Sequence, residues 1–175
     1  MSSEFKKVAV LLGGTSNERE ISLKSGSAVL SALIRIGIDA KGIDPMKESL
    51  DQLKLFDVVF ICLHGKDGED GSIQEFLENI NIPYTGNGVE ASKLCMDKFR
   101  SKCQWRDFNI KTPSFTIIKN TDDYELAVQK CKLPFIIKPS NSGSSIGVAI
   151  IENKQHFIKA FNEAITIDSI VIAES

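Results

Sequence analysis

The chain has 175 residues, 42% of them hydrophobic and 25% charged, and a formal net charge of −2. That length supports one good core or two small ones, the composition is that of an ordinary globular protein, and the charge offers no basic field for nucleic acid. The opening MSSEFKKVAV lacks the apolar core of a secretion signal, and the longest apolar run, VVFICL, is far short of a membrane span.

KVAVLLGG (7–14) is a continuous, partly β-branched run ending in two glycines, the pattern of a buried strand. Ile21, Ser25, Ala28, Val29, Ala32, Leu33 and Ile36 then recur at helical spacing. Gly37 stands where a helix stops, and Asn17 with Glu20 is spaced as a capping box. IDAKGID (38–44) reads as a second strand. DVVFICLHG (57–65) is a third, running into the turn GKDGEDG. Ser72 and Glu75 are spaced to cap a short helix carrying Ile73, Phe76, Leu77 and Ile80, and IPYTG follows as a short strand or turn. Strand–helix alternation of this kind predicts a parallel sheet covered by helices.

From Val89 to Phe108 the pattern predicts one helix with Cys95, Phe99 and Cys103 along a stripe. TPSFTII (112–118) alternates like a strand, and TDDYELAVQKC reads as a short helix with an acidic first turn. LPFIIKP (133–139) and IGVAII (146–151) are short strands joined by a small-residue loop, which favours an antiparallel hairpin. A helix near 154–165 and a strand in SIVIAES complete the chain. The second half is therefore expected to be α+β, with a boundary near residue 100. Cys62, Cys95, Cys103 and Cys131 show no CxxC spacing, and three lie inside apolar patterns, so buried free thiols in a reducing compartment are expected.

The loop SNSGSSIG offers backbone N–H groups and hydroxyls with little bulk, and Lys138 precedes it. Two readings stand: a loop that wraps phosphate, and a flexible hairpin turn. Neither a Walker A motif nor GxGxxG is present. LLGGTSNEREIS brings a glycine turn to a helix N-terminus, where Glu18 and Glu20 either favour the dipole or serve a substrate amino group. His64 ends a buried strand at the carboxyl edge of the sheet, where open α/β sheets place their ligands. Lys66, Asp67, Glu69 and Asp70 read as a solvated turn rather than a divalent-ion site, and His156 as a surface residue. Lys98 and Lys102 lie one helical turn apart. They form a solvated basic face unless one of them aims back at the Gly/Ser loop.

Four blocks in this order, VAVLLGGTSNEREISLKSG (8–26), CLHGKDGEDG (62–71), PYTGNGVEASKLCMDKFRSK (83–102) and FIIKPSNSGSSIGV (135–148), resemble the D-alanine–D-alanine ligase family of ATP-grasp enzymes. The resemblance implies an α/β fold in two parts. Residues 1–100 would be a Rossmann-like, pre-ATP-grasp parallel-sheet domain that binds D-alanine. Residues 101–175 would be the first, α+β ATP-grasp subdomain with its phosphate lid. It also implies ATP-dependent joining of two D-alanines through an acylphosphate, for peptidoglycan synthesis in the cytoplasm, with Mg²⁺ or Mn²⁺ and a homodimer formed by the first domain.

Residue by residue, Glu18 matches the acid that holds the amino group of the first D-alanine, and Ile21 a substrate-lining position. His64 matches the histidine beside that alanine's carboxylate, and Glu69 an acid that orients it. Lys98 and Lys138 match the lysines on the ATP phosphates. Ser144 matches the serine bonded to the acid at Glu18, Ser145 through Gly147 the lid over the γ-phosphate, and Glu174 the start of the segment beside adenine.

The resemblance ends where the family enters its second ATP-grasp subdomain, which carries the metal ligands. Residues 1–175 alone are expected to lack ligase activity, to bind nucleotide weakly at most, and to expose the apolar surface of SIVIAE. The alternatives are a non-catalytic binding or dimerisation fragment, and a relative that makes D-alanine–D-lactate or D-alanine–D-serine.

Overall fold

The computed structural model describes residues 7–175; the expectation for the first few residues lies outside them. The chain forms two compact units divided between Lys93 and Leu94, against the position near residue 100 suggested by the sequence pattern.

The first unit is built on three parallel strands, β1 (Lys7–Leu11), β2 (Asp39–Ile43) and β3 (Val58–Ile61), in the order β2-β1-β3. Tyr84 adds a single parallel bridge to Val59, which is the short strand or turn expected in IPYTG. Helices α1 (Arg19–Arg35), α2 (Ser72–Asn79) and α3 (Val89–Met96) follow the glycine-rich turns. Ala9, Leu11, Ile43, Leu53, Val59 and Leu77 form a core with no exposed surface. Each large apolar side chain so buried contributes roughly 2 kcal/mol. Helix α1 stops as the sequence predicts, with Gly37 at φ 85° and its amide on the Ile34 carbonyl.

Two predicted caps are not formed. Helix α1 begins at Arg19, one residue later than a cap at Asn17 requires, and the Ser16 hydroxyl accepts the Glu18 amide. In α2, Ser72 is already helical. Gly71, in the left-handed region, precedes it, and the Ser72 amide goes to Asp70 Oδ1.

The helix predicted over Val89–Phe108 is also two: α3 ends at Met96, and α4 (Lys98–Asp107) starts afresh after Asp97. The second unit continues with β4 (Phe115–Ile118), α5 (Tyr124–Cys131), β5 (Phe135–Pro139), β6 (Ala149–Ile151), α6 (Lys154–Ala164) and β7 (Val171–Glu174). The strands form an antiparallel sheet in the order β4-β7-β5-β6, with β5 and β6 joined as the expected hairpin. Its core gathers Phe135, Ile137, Ile151, Phe157 and Ala173, and the Phe157 ring meets those of Phe135 and Tyr124 edge-on. Asn153 caps α6 by accepting the His156 amide, and His156 itself is exposed, as expected.

The expectation for SIVIAE is overturned. Strand β7 lies inside the sheet between β4 and β5, so Val171, Ile172 and Ala173 are fully buried. Cysteine burial is also only half as expected: Cys62 and Cys131 are buried, Cys103 is intermediate and Cys95 is exposed. Among the described residues, no helix is long and apolar enough to cross a membrane.

Candidate functional site

In the first unit, the polar groups gather at the carboxyl edge of the parallel sheet, where β1 and β3 give way to turns. The Ser22 hydroxyl accepts the Gly13 amide at 2.8 Å and donates to the Cys62 carbonyl at 2.6 Å, stapling the two strand exits together. Ser16 Oγ donates to the His64 carbonyl at 2.7 Å, which ties the loop after β1 to the loop after β3.

His64 is held on both sides. Its Nε2 lies 3.0 Å from Ser25 Oγ on α1, and its Nδ1 lies 3.7 Å from Glu69 Oε1. The other Glu69 oxygen accepts the Gly65 amide at 2.8 Å, so the carboxylate is fixed by the turn that presents the histidine. Gly65 has φ +67° and faces Glu18; a Cβ there would stand 2.5 Å from Glu18 Oε2. Glu18 therefore converges with His64 and Glu69, which follow it by 46 or more positions in sequence. Ile21, in the first turn of α1, is 55% exposed. A cavity of about 330 Å³ opens beside this edge, lined among others by Gly14, Thr15, Leu63, His64, Ile73 and Phe76.

Beneath the same turn, Arg19 holds Asp44 through two hydrogen bonds, at 3.0 and 2.6 Å, while the Gly14 and Met46 amides also reach Asp44 Oδ1. The hydrogen bonds from Arg19, helped by those amides, outweigh partial burial and bring the Asp44 carboxyl down to about 2.

In the second unit, the break at Asp97 is what places Lys98. Asp97 Oδ1 accepts the Arg100 amide as a helix cap and also the Ser140 hydroxyl, at 2.7 Å. Ser140 Oγ in turn accepts the Phe99 amide, and the Ser140 carbonyl takes the Lys98 amide. The start of α4 is thus bolted to the end of β5. Lys98 Nζ reaches the carbonyls of Ser140 and Ser142, so it is aimed at the Gly/Ser loop. Burial, reinforced by the charge of Lys138, lowers the Lys98 pKa.

The loop itself is tightly curled. Ser144, Ser145 and Gly147 have φ of 49°, 58° and 72°. The Ile146 amide bonds the Gly143 carbonyl, and the Val148 amide bonds the Ser145 carbonyl. A side chain at Gly147 would stand 2.6 Å from Ile167 and 2.8 Å from Pro139. Successive residues bent this way turn backbone amides toward a common side, a geometry suited to an anion.

A second cavity of about 280 Å³ is lined by Lys98, Lys102, Lys138, Glu174, Cys95 and Trp105, among others. Glu174 joins two of the lysines: Lys102 Nζ lies 2.7 Å from Oε2 and Lys138 Nζ 2.9 Å from Oε1. Burial raises the Glu174 carboxyl, but the bonds from Lys102 and Lys138 together outweigh it and hold its pKa below the ordinary value. Of the two readings open for Lys98 and Lys102, Lys98 follows the one in which a lysine aims back at the Gly/Ser loop, and Lys102 is buried, at 3% exposed, rather than solvated.

Two family descriptions match in series: D-ala D-ala ligase N-terminus over residues 38–87, and D-ala D-ala ligase C-terminus over residues 104–175. A D-alanine–D-alanine ligase of Dechloromonas aromatica is 49% identical over 172 residues, a match spanning 98% of this chain and 57% of that protein. The chain belongs to the D-alanine–D-alanine ligase family. The Bacillus anthracis ligase superposes with a TM-score of 0.83 at 31% identity, over 96% of this chain and 56% of that one. A structure of the same ligase complexed with ATP gives 0.82 at 30% identity, over 97% and 58%. The fold is accordingly the ATP-grasp fold of these ligases, and the chain spans somewhat over half the length of the relatives it matches.

Several residues that build the site are not singled out by the sequence. Ser22, Ser25 and Ser140 are common small polar residues, each with a deciding partner that lies 39 or more positions away. Asp97 was legible in principle, since an acid three residues before a backbone amide at a helix start is a capping signal.

Proposed function

We propose that this chain is the amino-terminal portion of an ATP-dependent D-alanine–D-alanine ligase acting in peptidoglycan synthesis in the cytoplasm. One observation carries the reading. Lys98 points at the carbonyls of a left-handed Gly/Ser loop, and Lys138 leaves the strand just before it, so two ammonium groups and a run of small-residue amides serve one region.

Phosphoryl transfer requires positioning and charge neutralisation more than covalent help. Lys98 and Lys138 supply positive charge for the ATP phosphates, and Ser144, Ser145 and Gly147 supply the lid. Glu174 lies at the entry to the segment beside adenine. In the first unit, Glu18 is the carboxylate for the D-alanine amino group, His64 and Glu69 serve its carboxylate end, and Ile21 lines the approach.

Transfer of the γ-phosphate to that carboxylate makes an acylphosphate, and attack by the second amine expels phosphate. The tetrahedral oxyanion formed on the way requires donors close by. Mg²⁺ or Mn²⁺ would reduce the charge on the triphosphate. The family resemblance assigns the ion's ligands to the remainder of the family's length, and no step here runs through it. The family's homodimer, through the first domain, is part of the same proposal.

The test is D-alanine-dependent release of phosphate from ATP. It is read on residues 1–175 and on the same residues continued by the carboxy-terminal part of the Dechloromonas aromatica relative. Activity is expected only in the continued chain, with D-alanine preferred over D-lactate and D-serine as acceptor. A continued, folded chain that leaves ATP intact would overturn the reading.

A further inference from the structure

Among the buried charged residues described, Lys102 is the least exposed, at 3%. It is also one of the most firmly held. Its Nζ meets Glu174 Oε2 and Thr112 Oγ1 and lies 5.1 Å from the centroid of the Phe115 ring. Lys138 meets the other oxygen of the same carboxylate, but its side chain is 18% exposed against 4% for Lys102. One half-enclosed carboxylate is therefore shared by a fixed ammonium and a more accessible one.

This asymmetry has an electrostatic consequence. An arriving phosphate can engage Lys138 fully only if Lys138 relaxes its hold on Glu174, whose side chain is 15% exposed. A carboxylate that enclosed is costly to leave without a counter-charge. Lys102, held also by Thr112 and Phe115, stays in place when Lys138 moves.

We infer that Lys102 is a positioning residue: the standing counter-ion of Glu174, which lets Lys138 exchange that carboxylate for a nucleotide phosphate. The inference rests on the proposal that Lys138 contacts ATP. It adds to that proposal a residue that touches neither substrate. The lowered pKa of Glu174 agrees with two cations sharing it.

The experiment is an ATP titration of the 175-residue protein, followed by NMR shifts of the 140–148 amides. The wild type is compared with Lys102→Met, Lys102→Arg, Glu174→Gln and the double variant Lys102→Met/Glu174→Gln. Lys102→Met should weaken ATP binding by about tenfold or more, whereas Lys102→Arg, which keeps the charge, should bind as the wild type does. Removing the carboxylate frees Lys138 whatever stands at position 102, so the double variant should bind ATP as Glu174→Gln alone does. Unaltered binding by Lys102→Met, or a double variant as weak as Lys102→Met, overturns the inference.

A carbon-13 titration of the Glu174 carboxyl separates the two ideas. Lys102→Met should raise its pKa more than Lys138→Met does, and the reverse order also overturns the inference. A wild-type chain whose Glu174 titrates as expected but whose amides never respond to ATP overturns the exchange role and leaves only the ion pair, whereas the ligase reading falls only if the continued chain leaves ATP intact.

Discussion

Ser25 Oγ stands 3.0 Å from His64 Nε2, and the same hydroxyl lies 3.1 Å from the Ile21 carbonyl one helical turn back. The hydroxyl is thereby committed both to its own helix and to the imidazole, which fixes the plane of the ring at the sheet edge. Ser25→Ala removes this guide without removing the histidine. In the continued ligase the expected result is a several-fold rise in KM for the first D-alanine with kcat little changed, since orientation is lost and charge is kept. Steady-state kinetics at saturating ATP would check the split.

The Arg19–Asp44 clip makes stability depend on acid. Its folded-state pKa, about 2, lies below the ordinary 3.8, so the unfolded chain takes up its proton first as the pH falls. The stabilisation is complete above roughly pH 4 and is lost progressively as the pH drops toward the folded value. Asp44→Asn should flatten this part of the acid-unfolding curve, as followed by circular dichroism. It should also cost about 2 kcal/mol at neutral pH, because the Arg19 contacts lose their charge-assisted character.

Ser140 joins β5 to the start of α4 through the Asp97 carboxylate and the Phe99 amide. Ser140→Ala strands both partners in a buried setting and should lower stability by about 1–3 kcal/mol, measured by urea unfolding. Because the Lys98 amide and side chain both rest on the Ser140 carbonyl, ATP affinity should fall as well. Ser140→Thr, which keeps the hydroxyl, should retain more of both properties.

Thiol chemistry distinguishes the four cysteines. Burial pushes the Cys62 and Cys131 thiols upward, whereas Cys95 is exposed beside the lysine-lined cavity. Brief alkylation of the native protein at neutral pH, read by peptide mass spectrometry, should label Cys95 first and leave Cys62 and Cys131 unmodified until the chain unfolds. Saturating ATP should slow labelling of Cys95.

The strands were legible because their physics is local. Runs such as VVFICL and LPFIIKP cover their own length in apolar surface, and the turn residues beside them admit few conformations. Glu18, His64 and Glu69 were legible as candidates because they adjoin glycine turns at strand ends, although only folding brings them together.

What was not legible depends on partners distant in sequence. Asp97 can interrupt a helix that otherwise reads as continuous because Ser140 waits 43 positions later to share its carboxylate. Lys102 looks like a solvent-facing lysine because nothing near it announces Thr112 or Glu174. The burial of β7 followed from strand order, which apolar patterning leaves undetermined.

That strand order also governs how the second unit comes into being. Strand β4 is made early, yet its partner β7 pairs Ile118 with Val171, and β7 is also the neighbour of β5. During synthesis β4 must therefore remain without its neighbour while α5, the β5–β6 hairpin and α6 emerge, and the four strands can join only after β7 has left the ribosome. Such long-range closure is slow and leaves an unpaired edge exposed meanwhile. The first unit, whose three strands all lie before residue 62, faces no comparable delay. A nascent chain halted before β7 should thus carry a folded first half and an open, chaperone-dependent second.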